Sequence, residues 1–334
     1  MNRAVRSPRF LVIVNPRAGR GRAMQAAWRL EALLRQEAIP FTIARTRHAG
    51  EASDVARHAA PDVEAVVAVG GDGTMHEVAC GLADAAEAAG DPARVAALAV
   101  VPFGTGNDFV KTFGIGPRVE DGFAALVSGR RRRIDLGRAG PIRARGERLH
   151  REWFANDLSA GFGAQVVRDM IEPPFYLRAL TGQVAYVAAG LRRLFFRPRP
   201  MIVRVDGREH RQDFYEVHVG NGRFCGGGIQ YTPRAVPDDG LLDVSLFHTM
   251  PRWSFLATNL GPVRHGTLVP APERGIEMLV GHAVEIEQSQ EFPIYLDGES
   301  RMVEGAEGRP ASVRVEVVPG ALEVLVPATV DSGH

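Results

Sequence analysis

Three short glycine-rich segments, each directly after an apolar run, constrain the fold of this 334-residue chain more than any other feature. Glycine lets the backbone approach a ligand closely, and a helix that begins beside it presents unpaired N–H groups and a positive dipole end. A strand, a glycine turn and a helix in this order are typical of anion binding at the carboxyl edge of a parallel sheet. The glycine segments are residues 14–22, 70–74 and 102–109, and the apolar runs before them are residues 10–14, 65–69 and 97–101.

Each of these segments alone is explained equally well by a tight turn between a strand and a helix. Three of them at the carboxyl ends of strands in one sheet favour a shared ligand, because open α/β sheets bind ligands along that edge. The second segment also holds Asp72, and an acid beside a phosphate requires either a divalent cation or a proton to transfer. The three segments therefore predict a phosphate-binding crevice.

The hydrophobic pattern around the loops predicts an α/β N-terminal domain with a parallel sheet. After the first loop, Met24, Ala27, Trp28 and Leu34 recur at helical spacing, and an apolar run at residues 41–44 predicts another strand. From about residue 134 the pattern changes to period-two alternation between Gly, Pro and Asp turns, which predicts a β-sandwich-like second domain. The predicted domains are residues 8–133, completed by residues 320–328, and residues 134–319.

The composition is that of a globular protein, with 45% hydrophobic and 24% charged residues. No run reaches the roughly 18 uncharged apolar residues of a spanning helix, and the N-terminus lacks a signal-peptide pattern. The two cysteines, Cys80 and Cys225, are too few for a disulfide framework. The histidines lack the HExxH or paired spacing of zinc enzymes. We therefore expect a cytoplasmic protein without a zinc centre.

The basic residues are almost all arginine, 39 against the single Lys111. No GxxxxGK[ST] string is present, which excludes a Walker-type phosphate loop. Arginine clusters within residues 3–22 and 130–133 predict faces that attract phosphate, nucleic acid or acidic lipid headgroups. Nucleic acid is the weakest of these predictions, because no recognition motif accompanies the charge.

Residues 176–196 interrupt the β pattern with a helical mixture of apolar, aromatic and basic side chains. One interpretation is a helix packed on the second domain. The other is an interfacial patch, in which arginines meet anionic headgroups while Leu194, Phe195 and Phe196 reach the acyl boundary. The sequence leaves both interpretations open.

Four motifs carry a resemblance to a known family: NPRAGRG at residues 15–21, VGGDGTMHEV at 69–78, VPFGTGNDF at 101–109 and YLDGE at 295–299. Together they resemble the diacylglycerol kinase catalytic-domain family of bacterial lipid kinases, which includes the YegS-type kinases. The GGDGT string is shared with NAD kinases, whereas GTGNDF and the late DGE select the lipid kinases. The resemblance extends over about residues 9–327.

The resemblance implies a site for ATP and Mg²⁺. Glu299 matches the residue that takes the proton from the lipid hydroxyl, although an acid in a hairpin turn is otherwise more often only solvated. Asp72 is the alternative base, and we favour Glu299 as the base with Asp72 as the partner of the metal and the phosphates. Mg²⁺ would be held by Asp239 with the backbone oxygens of Val236 and Leu241, in a turn whose chemistry also suits an aspartate without a metal. The residues that match ATP contacts are Asn15, Gly19, Thr46, Gly70, Gly71, Asp72, Gly73, Thr74, Met75, His76, Gly104, Thr105 and Asn107.

The implied function is that of an ATP-dependent lipid kinase, which transfers the γ-phosphate to the hydroxyl of a diacylglycerol-like or phosphatidylglycerol-like acceptor. The alternatives are an NAD kinase and a non-catalytic protein that binds nucleotide or phospholipid. The expected partners are the lipid substrate at the inner face of the membrane and a second copy of the chain in a homodimer, with no nucleic acid.

Overall fold

The structure of the protein is a computed structural model that describes residues 9–21, 23–59, 61–104, 106–142, 149–171, 196–305 and 308–328. The chain divides into two compact units, one of Met1–Asp135 with Gly320–His334 and the other of Leu136–Pro319. The first boundary between the units therefore follows Asp135, two residues after the predicted boundary at 133, and lies inside the continuous strand Arg130–Ile142. Among the described helices, none combines the length and the hydropathy that crossing a membrane requires.

The first unit contains a parallel sheet in the order β2-β1-β3-β4, with the C-terminal part of β15 beside β4. Strands β1, β3 and β4 are apolar and buried at every residue, as expected for parallel strands that are covered on both faces. The strands are β1 Phe10–Val14, β2 Phe41–Arg45, β3 Ala65–Gly70, β4 Ala97–Pro102 and β15 Ala311–Val326. The helices are α1 Ala23–Gln36, α2 Glu51–Ala59, α3 Asp72–Ala89, α4 Asp108–Thr112 and α5 Val119–Ser128.

Helix α1 packs on the sheet through small and aliphatic side chains. Ala26, Ala27, Leu30 and Leu34 are buried, and they join the core formed by β1, β3 and β4. The prediction that Trp28 belongs to this face was wrong, because its side chain is 58% exposed. Trp28 lies two residues before the fully buried Leu30, about 200° around the helix, so it faces away from the sheet, and the alanines on the buried side allow a close approach.

The second unit is an antiparallel sheet in the order β14-β13-β7-β9-β8-β12-β15, to which β10 and β11 are added beside β9. Strand β5 crosses from the first unit and pairs with β6 and β15. The strands are β5 Arg130–Ile142, β6 His150–Phe154, β7 Asp157–Gly161, β8 Arg199–Val205, β9 Arg208–Gly220, β10 Leu242–His248, β11 Ile276–Gly281, β12 Ala283–Gln288, β13 Phe292–Leu296 and β14 Glu299–Val303. The helices are α6 Phe162–Ile171 and α7 Arg252–Thr258, and a π-helical turn, Asn259–Val263, follows α7. The predicted fold class, an α/β domain followed by a β-sandwich-like domain, is confirmed.

The two faces of strands β7 and β9 differ in chemistry. Leu158, Ala160 and their neighbours on β9 belong to the main apolar core of the second unit. The alternate residues are polar and equally buried, with Ser159 opposite His218 in the register. The sheet thus carries a buried polar face as well as an apolar one. Most of the predicted helix at residues 176–196 lies outside the described residues, so both interpretations of it stay predictions.

Candidate active site

The three glycine loops of the first unit follow the adjacent strands β1, β3 and β4 and lie at the same edge of the sheet. The second and third loops are joined by the backbone N–H of Phe103, which donates to the Gly70 carbonyl at 2.8 Å. The first loop reaches the same place, because a Cβ built on Gly19 would lie 3.0 Å from the Phe103 ring. Gly19 has φ +56°, a left-handed conformation that favours glycine. The loops therefore meet, as their position after neighbouring strands predicts.

Asp72 connects the second loop to the third. One of its carboxylate oxygens accepts the backbone N–H of Asn107 and the other accepts that of Asp108, each at 2.8 Å. The carboxylate thus satisfies N–H groups at the start of α4, as a capping side chain does. Burial is the main cause that raises the pKa of Asp72, and the charge of Asp108 adds to it, whereas the backbone hydrogen bonds act in the opposite direction.

The glycines of the loops allow this close approach. A Cβ on Gly104 would lie 2.9 Å from the Cα of Gly71, and a Cβ on Gly106 would collide with the Asp72 carboxylate. A side chain at either position would therefore separate the loops. The 18-residue helix α3 begins at Asp72, so its positive dipole end also lies at this junction. A helix N-terminus beside closely packed glycine turns is suited to binding phosphate.

The other predicted ATP contacts lie around these loops. Asn15 Oδ1 accepts the N–H of Arg17 at 3.0 Å and shapes the first loop, and the N–H of Thr46 donates to the Val14 carbonyl at 3.0 Å. Thr46 thus lies at the end of β1, where that loop starts. The side chains of Thr74, Met75 and His76 are buried along α3, and Gly73 lies in its first turn. Thr105 lies outside the described residues. The nucleotide contacts assigned to these residues remain predictions.

The single lysine has a partner inside this unit. Lys111 Nζ lies 3.0 Å from Oδ1 of Asp108, a carboxylate that is 7% exposed. Sequence reasoning missed Asp108, although it stands in the GTGNDF motif directly after Asn107. Asp108 thus contacts Asp72 through its backbone N–H and Lys111 through its carboxylate, which places one positive charge beside that carboxylate at the third loop.

In the second unit, Asp297 fixes the hairpin that carries the DGE motif. Asp297 and Gly298 have φ +44° and +101° and form a two-residue turn between β13 and β14. The buried carboxylate of Asp297 accepts the backbone N–H groups of Ala155, Asn156 and Asp157 at 2.6, 2.8 and 3.0 Å. The hairpin is therefore attached to the segment that enters β7.

Glu299 is the first residue after this turn. Its side chain is 47% exposed and lies 3.6 Å from Nη1 of Arg301. Arg301 is itself held by Glu152, which it contacts through two hydrogen bonds of 2.6 Å. Glu299 thus combines a fixed backbone with a carboxylate that reaches solvent. A general base needs both features, since it must be positioned and must also meet its substrate.

The predicted metal turn lies before β10. Asp239 is exposed, its Oδ1 accepts the N–H of Leu241 at 3.0 Å, and its own N–H lies 3.4 Å from the Val236 carbonyl. Sequence reasoning missed the nearby Asp243. Burial, with the charge of Asp239 as the second cause, raises the pKa of Asp243 to about 6. Two neighbouring carboxylates with carbonyl oxygens in a turn are a ligand set that suits Mg²⁺, so the residues fit the metal.

The polar face of β7 and β9 holds a second group of titratable side chains. His218 Nε2 lies 3.4 Å from Asp157 Oδ2, and its Nδ1 lies 3.7 Å from Glu216 Oε1. Glu216 Oε2 accepts the N–H of Gly163 at 2.8 Å in the first turn of α6. Ligand atoms of Asp157, His218 and Cys225 all lie within 4.8 Å of one another and are buried, so this group can hold a metal ion. Spacing rules miss such a group, because its members come from three separate segments.

Comparisons with known proteins agree with this architecture. The model of the diacylglycerol kinase catalytic domain matches residues 9–139, and that of the YegS C-terminal NAD kinase beta sandwich-like domain matches residues 157–326. A probable lipid kinase YegS-like of Stenotrophomonas maltophilia is 34% identical over 272 residues, which cover 80% of each chain. A probable lipid kinase YegS-like of Citrobacter koseri is 29% identical over 326 residues, 96% of each chain. A crystal structure of a putative diacylglycerol kinase from Bacillus anthracis has the same fold, with a TM-score of 0.73 and 22% identity over 97% of this chain and 98% of that chain.

Proposed function

This chain belongs to the YegS-like family of probable lipid kinases, and we propose that it transfers the γ-phosphate of ATP to a lipid hydroxyl. The observation that carries the proposal is the junction of the glycine loops in the first unit. There Asp72 joins the second loop to the third, and Gly19 lies against Phe103. The glycine loops and the start of α3 meet at one place, which is the environment that suits a polyphosphate.

The first unit binds and orients ATP in this proposal. Phosphoryl transfer requires mainly positioning and neutralisation of negative charge, because the protein forms no covalent bond in the direct reaction. The glycine loops supply the positioning, and Lys111 supplies one positive charge next to Asp108. Mg²⁺, when bound, would neutralise further negative charge, and Asp239 with the backbone oxygens of Val236 and Leu241 would hold it, with Asp243 nearby.

Glu299 acts as the general base. It takes the proton from the acceptor hydroxyl, the hydroxyl oxygen bonds to the γ-phosphorus, and the bond from that phosphorus to the bridging oxygen of ADP breaks. The half-exposed carboxylate on a fixed hairpin supports this role. The product is a phosphorylated lipid, so the reaction belongs to phospholipid metabolism. We place it at the inner face of the membrane, where ATP and the acceptor are both present.

The proposal is tested with γ-labelled ATP, Mg²⁺ and a panel of acceptors: diacylglycerol, phosphatidylglycerol, a sphingoid base and NAD. The wild type is compared with Glu299→Gln and with the control Glu291→Gln, which alters an exposed acid before β13. We expect the wild type and the Glu291→Gln control to transfer label to one of the lipids, and Glu299→Gln to transfer at least a hundredfold less. Label in NAD would assign an NAD kinase instead, and ATP binding without label in any acceptor would indicate a non-catalytic protein.

A further inference from the structure

A helical segment between β10 and β11 has an exposed apolar face. It comprises α7 and the π-helical turn that continues it to Val263. Trp253 and Leu260, seven residues apart and hence on one side of the helix, are 73% and 72% exposed. Val269 follows after the helix and is 56% exposed. Trp253 and Leu260 are the two most exposed large hydrophobic residues in the described part of the chain.

The opposite side of this segment anchors it to the second unit. Phe255 stacks on Tyr215, with ring centroids 4.7 Å apart and planes at 14°, and meets Phe162 edge to face at 5.2 Å. Val263 is fully buried in the same cluster. The segment is therefore held without Trp253 and Leu260, so the outward pair is not required for packing.

The charged residues along this part of the chain are all basic. No acidic residue occurs between Asp243 and Glu273, whereas Arg252 and Arg264 lie at the two ends of the helical segment and are exposed. An exposed Trp with aliphatic neighbours and flanking arginines is typical of helices that lie in a membrane interface. A protein partner with an acidic groove would match the charge, but it would not explain why the indole, which favours the headgroup region, is the most exposed group.

We propose that the side of the helical segment that carries Trp253 and Leu260, with Arg252 and Arg264 at its two ends, docks the protein on an anionic lipid surface. The proposal rests on the proposed function, since a lipid kinase meets its acceptor at a bilayer. It assigns the contact to a helix of the second unit that sequence reasoning did not single out. The apolar side chains enter the acyl boundary while the arginines remain among the headgroups.

Flotation with phosphatidylcholine vesicles, with and without phosphatidylglycerol, tests the docking. The variants are Trp253→Ala with Leu260→Ala, and Arg252→Gln with Arg264→Gln. Trp28→Ala, which removes an exposed Trp from α1, is the matched control. We expect the wild type and the control to bind anionic vesicles. The double arginine variant should bind about 25-fold more weakly, because each arginine near the surface contributes about fivefold. The Trp253/Leu260 variant should bind at least about tenfold more weakly, because it loses the burial of two large apolar side chains. Equal circular dichroism spectra establish that the variants are folded.

A second readout separates docking from catalysis. Phosphorylation of a short-chain acceptor that is dispersed as monomers should be the same for both double variants as for the wild type. A wild type that floats but phosphorylates no lipid contradicts the proposed function and leaves the docking result standing. Undiminished flotation of the Trp253/Leu260 variant overturns the docking proposal. A loss of dimer in that variant without a loss of flotation overturns it as well, because the face would then bind a second copy of the chain.

Discussion

Asp72 Oδ1 accepts a hydrogen bond from the backbone N–H of Asp108 at 2.8 Å, and this bond joins two loops whose residues are 36 positions apart. The other carboxylate oxygen makes the matching bond to Asn107. The acid of the GGDGT motif thus has a structural task within the first unit. Whatever contact it makes with a bound nucleotide is made by a group that the third loop already holds in place.

Replacement of Asp72 by Ala should lower the free energy of unfolding by about 1 kcal/mol. The loss of a capping acceptor costs about 1–2 kcal/mol, and removal of a buried charge offsets part of it. Asp72→Asn retains one acceptor oxygen and should lose less. Urea denaturation measures both changes. Equal stability of the wild type and Asp72→Ala would contradict the capping role.

A methyl group at Gly104 should weaken ATP binding, because it would force the second and third loops apart. The new Cβ would lie 2.9 Å from the Gly71 backbone, where no flexible side chain can move away. We expect a loss of 1–3 kcal/mol of stability, typical of overpacking, and at least tenfold weaker ATP binding by calorimetry. Gly261→Ala is the matched control, since a Cβ there meets nothing within 4 Å. Unchanged ATP affinity in Gly104→Ala would show that the loops do not act together.

Replacement of Asp297 should lower the stability of the protein, whereas replacement of Glu299 should lower its activity. Asp297→Ala deprives three backbone N–H groups of their acceptor, and each buried unsatisfied group costs about 1–3 kcal/mol. Its Tm should therefore fall by many degrees. Glu299→Gln should leave Tm unchanged, because the side chain is half-exposed, and should lower kcat by at least a hundredfold. Calorimetry and the labelled-ATP assay give the two values, and a Glu299→Gln enzyme with normal kcat would remove Glu299 as the base.

The stability of the protein should depend on Asp243 in a pH range set by its pKa of about 6. The pKa of Asp243 is higher in the folded state than its unfolded value of about 3.9. Its contribution to the free energy of unfolding is therefore fully present below about pH 3.9 and is lost as the pH rises through 6. Asp243→Asn should therefore gain stability relative to the wild type between pH 4 and pH 7.5, by at most about 3 kcal/mol. Urea denaturation at the two pH values measures the gain. A stability difference that is the same at both would contradict the burial of this charge.

Mg²⁺ should raise the Tm of the wild type at neutral pH, because a cation that binds only the folded state stabilises it. Asp239→Asn should abolish the increase. Asp238→Asn, the exposed neighbouring acid, should retain it. Thermal denaturation with and without Mg²⁺ tests this. A Tm increase that survives in Asp239→Asn would place the cation elsewhere.

Most strands were predictable, because they are either unbroken aliphatic runs or alternate with period two. The runs that became β1, β3 and β4 are buried on both faces, which only a covered parallel sheet allows. The face of α1 was not fully predictable. A large residue such as Trp28 suggests burial, but the alanines decide which side can approach the sheet.

The partners of individual site residues were not predictable, because they come from distant segments. The hydrogen bonds of Asp72 to the third loop and of Asp297 to the start of β7 depend on how the loops are placed in three dimensions. The contacts among the buried side chains of Asp157, Glu216 and His218 were not predictable for the same reason, because they also join separate segments. Period-two alternation separates the two faces of β7 and β9, but it does not reveal that both faces are covered.

The measurement that tests the central claim most directly compares ATP binding with phosphoryl transfer in Glu299→Gln. If the glycine loops bind the nucleotide and Glu299 acts only as the base, this variant should bind ATP with the affinity of the wild type and form phosphorylated lipid at least a hundredfold more slowly. The wild type should form one phospholipid for each ADP released. A variant that still labels the lipid at the wild-type rate, or a wild type that releases ADP without any lipid product, would contradict the account.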